Sequence, residues 1–365
     1  MTTSLEKEIE QHKKKIHSDS YPMSIGEAIS MYINGEIDIH PEFQRVYRWT
    51  LLQKSKFIES ILLGIPIPSF FVSQREDGVW DLVDGLQRFS TILSFMGELK
   101  NEDGEKLPPL TLTKGGYLSE LDGAIWSDEE KISKPLKLSF RREKIDFKII
   151  KKESTSDTKY DLFRRLNTGG SELSDQEVRN CLLLMANKTF YEWVIQISKN
   201  VDFVETTPLS DSKYAEQYNI ELLIRFIVFY ELKWEDVTAP VIGDIGEFLN
   251  DQIIAIAQNP DFDTQNMADI FSKTFHLINS SLGSDAFKRF YPEESKHKGG
   301  FSIALFEAIS TGIAKNIATV TTQTLREKIE NFSLTSDFTA ASGAGTRAST
   351  RVSKTIPYAI TYFSS

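Results

Sequence analysis

The spacing of apolar residues in the first half of the chain switches between helical and strand periods, which predicts mixed α/β structure. A capping-box pattern at Ser24 predicts one helix that ends at Gly35, and a similar pattern at Thr50 predicts another that ends at Gly64. Short apolar runs predict strands at residues 37–39, 69–73 and 79–83. An Asp-Gly hairpin signal joins the last two strands, so they would bring residue 84 to a sheet edge.

The second half carries long runs with helical spacing, at residues 182–197, 218–232, 267–282, 301–318 and 352–363. Together the two halves predict an α+β protein in which a mixed α/β domain precedes an all-helical domain. We assign residues 1–20 to an N-terminal extension, 21–172 to the α/β domain and 173–365 to the helical domain. Residues 99–135 are rich in Gly, Pro, Asp and Ser and are expected to form an insertion outside the core.

The chain has a net charge of −10, so binding of a polyanion such as DNA would need a local basic patch. Residues 131–152 offer one, with nine basic and two acidic residues. The same stretch also fits two strands with ordinary solvated faces, whose alternating apolar positions are Leu136, Leu138, Phe140, Ile145, Phe147 and Ile149. We favour the strands, because exposed strand faces are commonly charged.

The composition argues against several classes of protein. Cys181 is the one cysteine, which excludes an internal disulfide, and five scattered histidines lack metal-ligand spacing. No run approaches the ~20 consecutive apolar residues of a membrane span, and the N-terminal residues lack a signal-peptide core. We therefore expect a cytoplasmic protein without a membrane partner.

The residues after the third predicted strand carry the main candidate chemistry. Asp84, Gly85, Leu86, Gln87 and Arg88 form a turn into an amphipathic helix. Unpaired N–H groups at a helix N-terminus carry the positive end of the helix dipole and bind anions, most readily phosphate. An ordinary helix capped by the aspartate explains the same residues without a ligand.

Two other stretches fit the same chemistry. Residues 41–49 place two arginines beside two large aromatic residues, which suits phosphate binding and stacking on a base. Residues 163–170 end a predicted helix with an asparagine and two glycines. A loop packed around its aromatic residues explains the first stretch equally well, and an ordinary helix C-cap explains the second.

Four segments, in this order along the chain, resemble a known family. They are PEFQRVYRW at 41–49, LLGIPIPSFFV at 62–72, DLVDGLQRFSTI at 81–92 and LFRRLNTGGSELSDQEVRN at 162–180, with a weaker match in NIELLIRFIVFY at 219–230. The pattern resembles the prokaryotic family with the hallmark Asp-Gly-Gln-Gln-Arg, typified by the N-terminal domain of GmrSD-type modification-dependent restriction enzymes. The resemblance implies a ParB/sulfiredoxin-like fold for the first domain.

The resemblance implies binding and hydrolysis of a nucleoside triphosphate in defence against foreign DNA. The resemblance assigns catalysis to the signature residues Asp84, Gln87 and Arg88. Taken with the stretches above, it assigns nucleotide binding to Gln44, Arg45, Tyr47, Gly85, Arg165 and Asn167. It also implies Mg²⁺ near Asp84 and Asn167, because the last segment looks like the ParB box in which an asparagine helps to hold the metal on a bound triphosphate.

Leu86 departs from the family pattern, which has glutamine at that position. A leucine side chain neither donates nor accepts a hydrogen bond, so either the amide is dispensable or the activity is reduced. The same position argues against a sulfiredoxin reaction, since it has no sulfur, and Cys181 lies in an apolar run typical of buried residues. The chain also lacks the His-Asn-His-like cluster of the nuclease module that many family members append.

Three interpretations of the function stay open. The first is a Mg²⁺-dependent NTPase of a restriction or phage-defence type, which acts on DNA through a less obvious nuclease site or with a separate nuclease subunit. The second is a non-catalytic nucleotide-sensing switch or regulator that binds DNA, and the third is a degenerate scaffold. The sequence leaves open whether the chain forms an oligomer.

Overall fold

The computed structural model describes residues 3, 5, 18–39, 49–101, 103–151, 175–343 and 345–364. The chain divides into two compact units, residues 1–173 and 174–365. In the described residues, the first unit combines helices with a five-stranded sheet, and the second is helical apart from one short hairpin. This architecture confirms the predicted α+β class.

A five-stranded mixed sheet forms the centre of the first unit. Its strands are β1 (Ser18–Ser24), β2 (Ile37–Asp38), β3 (Phe70–Gln74), β4 (Trp80–Asp84) and β5 (Lys144–Ile150). Their spatial order is β1-β5-β3-β4-β2, in which β1/β5 and β3/β4 are antiparallel pairs and β3/β5 and β2/β4 are parallel pairs. β3 therefore lies in the middle of the sheet. Beside it lies β4, whose last residue is Asp84, where the turn of residues 84–88 begins.

The helices described in this unit are α1 (Ile25–Ile33), α2 (Leu51–Leu62), α3 (Leu86–Met96) and α4 (Lys134–Arg142). Both predicted capping patterns are confirmed. The Ser24 side chain accepts a hydrogen bond from the Glu27 N–H, and Thr50 and Gln53 form a reciprocal capping box. The strands predicted at β2, β3 and β4 are confirmed as well.

Aromatic rings fill the core next to the centre of the sheet. Phe70 on β3 stacks on Phe147 of β5 with ring centroids 5.2 Å apart, and Phe89 of α3 packs edge-on against Phe70 at 5.8 Å. All three side chains are fully buried. Such aromatic pairs add about 0.5–1.5 kcal/mol beyond the burial of their area. They hold the beginning of α3 against β3 and β5.

Helix α4 corrects one part of the sequence prediction. Leu136, Leu138 and Phe140 lie on this helix rather than on a strand, and Leu138 is exposed while Phe140 is buried. Pro135 suits the first turn of a helix, a position that the alternation of apolar residues does not reveal. The second strand predicted in this basic stretch is confirmed as β5.

The segment between α3 and α4 belongs to the core, so the expectation that residues 99–135 lie outside it is wrong. Several of its apolar side chains are buried in the same cluster as the sheet, namely Leu99, Leu110, Leu112, Leu121, Ala124 and Ile132. They lack a regular period, so pattern analysis does not detect them. The sequence pattern does not predict strand β1 either, because most of its residues are exposed.

Glu59 on α2 holds part of this segment. Its carboxylate accepts hydrogen bonds from the N–H groups of Gly116, Tyr117 and Leu118, at 2.9, 2.7 and 2.6 Å. Gly115 has no room for a side chain, since a Cβ there would lie 2.2 Å from Glu59 Oε1. Burial raises the pKa of Glu59, but the three N–H donors outweigh burial and hold the pKa below its usual value.

Replacing Glu59 with glutamine is expected to destabilise the protein by about 1–3 kcal/mol, because three N–H groups lose a charged acceptor. The folded pKa lies below the unfolded value of 4.5, so the carboxylate stabilises the protein above that pH and loses this effect as the pH falls through the folded pKa. Urea unfolding at neutral pH and in acid measures both effects, with the exposed Glu120→Gln as the control. Equal stability of Glu59→Gln and the parent at neutral pH would contradict this role.

The second unit is built from helices. They are α5 (Asp175–Ala186), α6 (Lys188–Ile197), α7 (Val201–Thr206), α8 (Asp211–Ala215), α9 (Tyr218–Glu231), α10 (Ala239–Ile242), α11 (Ile245–Gln258), α12 (Thr264–Leu282), α13 (Ile303–Lys315), α14 (Thr322–Phe332), α15 (Ser336–Ala341) and α16 (Ala348–Phe363). An antiparallel hairpin, β6 (Arg289–Tyr291) and β7 (Lys296–Lys298), follows α12. All five predicted helical runs are confirmed, although Asn187 divides the first into α5 and α6.

Cys181 on α5 is half-buried, whereas the sequence predicted a buried apolar position. No helix in the described ranges combines the length and the apolar character needed to cross a membrane.

A charged network joins three helices inside the second unit. Arg225 on α9 donates to Glu307 on α13 at 2.8 Å and to Glu221 on its own helix at 2.6 Å. Arg351 on α16 donates to the other oxygen of Glu307, also at 2.8 Å. Glu307 is 1% exposed, so its carboxylate ties α9, α13 and α16 together within the core.

Candidate functional site

β4 ends in Asp84, and the chain turns into helix α3 through a single residue, Gly85. Gly85 has a φ of +98°, a left-handed conformation that strongly favours glycine. A Cβ at this position would also lie 2.5 Å from Cδ1 of Phe70. The backbone conformation and the buried ring of β3 therefore both require glycine in this turn.

No side chain caps the start of α3 among the residues that the structure describes. The first helical hydrogen bond joins the Phe89 N–H to the Gly85 carbonyl, at 2.8 Å. The interpretation in which Asp84 caps an ordinary helix is therefore wrong. The N-terminal end of α3 keeps the positive potential of its first turn, which is the property that a phosphate site needs.

Arg88 lies in the first turn of α3 and is almost fully buried. Its Nη2 donates a hydrogen bond to Asp84 Oδ2 at 3.0 Å. Its Nη1 donates to the carbonyl oxygens of Pro68 and Ser69, the latter at 3.2 Å. The guanidinium carbon also lies 4.9 Å from the centroid of the Phe70 ring. Arg88 thereby joins the end of β4 to the residues that lead into β3.

Asp84 and Arg88 form an ion pair at the edge of the core, with side chains 19% and 8% exposed. Burial raises the pKa of the Asp84 carboxyl group, and the Arg88 cation and the Gly85 N–H oppose that change. Burial likewise lowers the pKa of the Arg88 guanidinium, and Asp84 opposes that change. The charge of Arg88 is balanced inside the protein, whereas the partly exposed carboxylate keeps further acceptor capacity. The catalytic role that the resemblance assigns to Arg88 stays a prediction.

Gln87 connects the turn to the segment 41–49. Its side-chain Oε1 accepts a hydrogen bond from the Trp49 N–H at 3.2 Å. The Trp49 ring packs edge-on against Phe57 of α2, with centroids 5.3 Å apart. Leu86, by contrast, packs against the hydrophobic core. Trp49, the last residue of the segment 41–49, therefore contacts the turn of residues 84–88 through the side-chain amide of Gln87.

Five predicted site residues lie outside the part of the chain that the structure describes. They are Gln44, Arg45, Tyr47, Arg165 and Asn167. Their roles in nucleotide and Mg²⁺ binding stay predictions. Within the described ranges, no group of three or more histidine, cysteine, aspartate or glutamate side chains could hold a metal ion. Of the two residues predicted to lie near Mg²⁺, the structure thus describes Asp84 alone.

The partners of Arg88 before β3 were not predicted from the sequence. Pro68 and Ser69 contribute main-chain carbonyl groups, and Phe70 contributes the face of its ring. The segment 62–72 does contain a signal for this arrangement, because its prolines favour extended backbone whose carbonyl groups are not used by a helix. That Arg88 is the donor to these carbonyl groups, however, depends on how β3 and β4 pair.

The segment 162–180 ends in a buried polar cluster on α5. Arg179 is 1% exposed and donates to Asn250 of α11 at 2.7 Å and to Gln176 at 2.5 Å. Gln176 in turn donates to Asn180 at 2.7 Å. The resemblance carried by this segment implies no role for these side chains. In the structure they join α5 to α11.

The chain was matched to a family model but to no individual protein. No curated protein and no solved structure matches the chain. The family model described as GmrSD restriction endonuclease, N-terminal domain, matches residues 25–184. That range contains the turn at Asp84 and all the contacts of Arg88 described above. Residues 25–184 of this chain are therefore similar to the N-terminal domain of the GmrSD restriction endonuclease.

Proposed function

We propose that the chain binds and hydrolyses a nucleoside triphosphate at the turn formed by residues 84–88, as part of a restriction system directed against foreign DNA. The observation that carries the proposal is an uncapped helix N-terminus beside a partly exposed carboxylate, with the end of the segment 41–49 hydrogen-bonded to Gln87. The family match of residues 25–184 supports the restriction part of the proposal.

Each group of the turn has a distinct role in this proposal. The first-turn N–H groups of α3 bind phosphate oxygens, because they carry the positive end of the helix dipole. Gln87 accepts a hydrogen bond from the Trp49 N–H, and Arg45, which precedes Trp49 in the same sequence segment, is proposed to neutralise phosphate charge. Arg88 is a positioning residue, since its guanidinium binds Asp84 and two carbonyl oxygens.

Asp84 fits a magnesium site on a bound triphosphate. Mg²⁺ is usually bound through one or two carboxylates together with phosphate oxygens and waters. The Asp84 side chain is partly exposed and has acceptor capacity beyond its bond to Arg88. When bound, the ion would neutralise charge on the phosphates, and Asp84 and Asn167 would hold it.

We assign DNA cleavage in this proposal to a separate nuclease subunit. The five histidines of the chain show no His-Asn-His-like cluster, so no residues stand out as the centre of a nuclease site. In this arrangement the chain supplies the triphosphate-dependent step and its partner cuts the DNA. Cleavage of plasmid DNA by the purified chain alone, with Mg²⁺ and a triphosphate, would contradict this division of roles.

Binding and turnover can be tested on the full chain with Mg²⁺ and each nucleoside triphosphate. We expect thermal stabilisation by the nucleotide and release of phosphate. Arg45→Ala is expected to slow phosphate release about a hundredfold or more, because phosphoryl transfer depends on charge stabilisation. Arg142→Ala, at the exposed end of α4, is the matched control and should leave the rate unchanged. Neither stabilisation nor phosphate release with any triphosphate would overturn the proposal.

A nucleotide-sensing switch without turnover is the second candidate, and Leu86 favours it. The Leu86 side chain packs against the core and offers no polar group to a nucleotide. In that case triphosphates stabilise the protein while phosphate release stays at background. Leu86→Gln restores the residue of the family pattern, and a gain of phosphate release in that variant would favour the NTPase.

A further inference from the structure

A second candidate site lies in the helical unit, beside the hairpin β6–β7. A cavity of about 410 Å³ is lined there by Arg289, Tyr291 and Lys298, together with the loop residues Gly299 and Gly300. The volume lies in the range of about 300–1,000 Å³ that is usual for small-molecule sites. No carboxylate lines the cavity among the residues that the structure describes. The cavity is therefore locally cationic in a chain whose net charge is −10.

The two cations face each other directly across the hairpin. Arg289 is paired in register with Lys298, so both side chains leave the same face of the sheet. Like charges directly opposite each other destabilise a strand pair, and an anion between them would offset this repulsion. Both cations also lie near the ring of Tyr291, with Arg289 Cζ 6.0 Å and Lys298 Nζ 5.6 Å from its centroid. The ring holds both charged groups on one side of the hairpin.

Little in the described protein competes with a ligand for these charges. Lys298 donates to Glu294, but both side chains of this pair are roughly half exposed, and such pairs contribute little to stability. No described carboxylate pairs with Arg289, whose guanidinium contacts the Tyr291 ring. A guanidinium in this situation binds an oxyanion such as phosphate through two parallel hydrogen bonds.

Another part of the cavity wall carries three hydroxyl groups whose protons are already donated to the main chain. Ser333, Thr339 and Ser342 donate their protons to main-chain carbonyl groups three or four residues earlier, at 3.1, 2.9 and 2.7 Å. Their oxygen lone pairs remain as acceptors for a ligand. A ligand that satisfies both parts of the wall has an oxyanion at one end and N–H or O–H donors at the other.

We propose that this cavity binds a nucleotide through its phosphate group, at a site separate from the turn at Asp84. The phosphate lies between Arg289 and Lys298, and sugar hydroxyls or base N–H groups donate to the hydroxyl oxygens of the wall. A free mononucleotide and a nucleotide within a DNA strand share this chemistry.

Hydrogen-exchange mass spectrometry on the full chain tests the site with AMP, adenosine and a short single-stranded oligonucleotide. We expect a phosphate-bearing probe to slow exchange in residues 289–302 and 333–343. Adenosine is expected to have no effect there, because it lacks phosphate. Slowing by AMP assigns the phosphate to a free nucleotide, and slowing by the oligonucleotide alone assigns it to a nucleic acid strand.

Three variants of the hairpin make the test specific. Arg289→Gln and Lys298→Gln are each expected to weaken binding of the effective probe about tenfold, since each removes a charged hydrogen-bond donor. Lys296→Gln is the matched control, because it removes the same charge from the same hairpin face and Lys296 does not line the cavity. Arg289→Gln should not lower the melting temperature, because it removes a like-charge pair.

The proposal is overturned if neither phosphate-bearing probe slows exchange in the two regions. Unchanged binding by both Arg289→Gln and Lys298→Gln, or equal slowing by adenosine, would overturn it as well. A loss with Lys296→Gln as large as that with Arg289→Gln would show that general charge attraction explains the binding. Exchange in residues 84–96 reports the turn at Asp84, so failure of one site is distinguishable from failure of the other.

Discussion

Replacing Arg88 with alanine is expected to lower the free energy of unfolding of the first unit by about 3–5 kcal/mol. The substitution leaves the carboxylate of Asp84 without its cationic partner and the carbonyl groups of Pro68 and Ser69 without a donor. An unpaired charge at the edge of the core is costly, because burial already disfavours the ionised form of Asp84. Hydrogen exchange in residues 80–96 during urea titration measures the stability of this region.

Two further variants separate the geometry of Arg88 from its charge. Arg88→Lys keeps the cation but not the planar fork that reaches Asp84 and two carbonyl oxygens, so we expect most of the stability to be lost. Arg142→Ala removes an exposed arginine from the same unit and should change the stability by less than about 0.5 kcal/mol. Stability of Arg88→Ala equal to that of Arg142→Ala would contradict the structural role.

The buried position of Arg88 also affects how activity measurements are interpreted. Loss of phosphate release in Arg88→Ala would follow from a disrupted turn as well as from a lost phosphate ligand. Folded Arg88→Lys protein with reduced release would point to positioning, because the charge is retained. For this reason Arg45→Ala is the sharper test of phosphate binding.

Glu307→Ala is expected to destabilise the second unit by about 3–5 kcal/mol, because it removes the carboxylate shared by two arginines inside the core. Arg225 would retain its bond to Glu221, and both Arg225 and Arg351 would lose their bond to α13. The three helices that Glu307 joins would then lose their common charged contact. Urea unfolding followed by circular dichroism measures the change.

Two variants control for the size of this effect. Glu307→Gln keeps the shape of the side chain and one acceptor oxygen, so its loss should be smaller than that of alanine. Glu327→Ala removes an exposed carboxylate from α14 and should have little effect. A Glu307→Ala protein as stable as the Glu327→Ala protein would show that the network does not hold the helices together.

Local signals were sufficient to predict the features that depend on neighbours along the chain. Ser24 and Thr50 predicted two helix starts, because a cap is a contact between residues a few positions apart. The left-handed conformation of Gly85 is likewise local, since it depends on the backbone of one residue. The α+β class followed from the change of apolar period along the chain.

Features that depend on distant partners were missed or assigned incorrectly. Strand β1 pairs with β5, whose residues lie at the far end of the first unit, and its own pattern carries no signal. Leu136 and Phe140 are four residues apart, a spacing that satisfies both a strand and a helix. Packing of Phe140 against Phe95 and Trp126, with centroids 5.6 and 5.5 Å away, accompanies the helix that the structure contains.

The sequence by itself determined where the turn at Asp84 lies and which chemical groups it offers, because the strand end, the glycine and the helix start adjoin one another. Only the tertiary structure decided the contacts of Arg88, since the pairing of β3 with β4 brings two main-chain carbonyl groups to its guanidinium. It also decided that Arg289 and Lys298 share one face of a cavity, because the register of a hairpin determines which charges stand opposite each other.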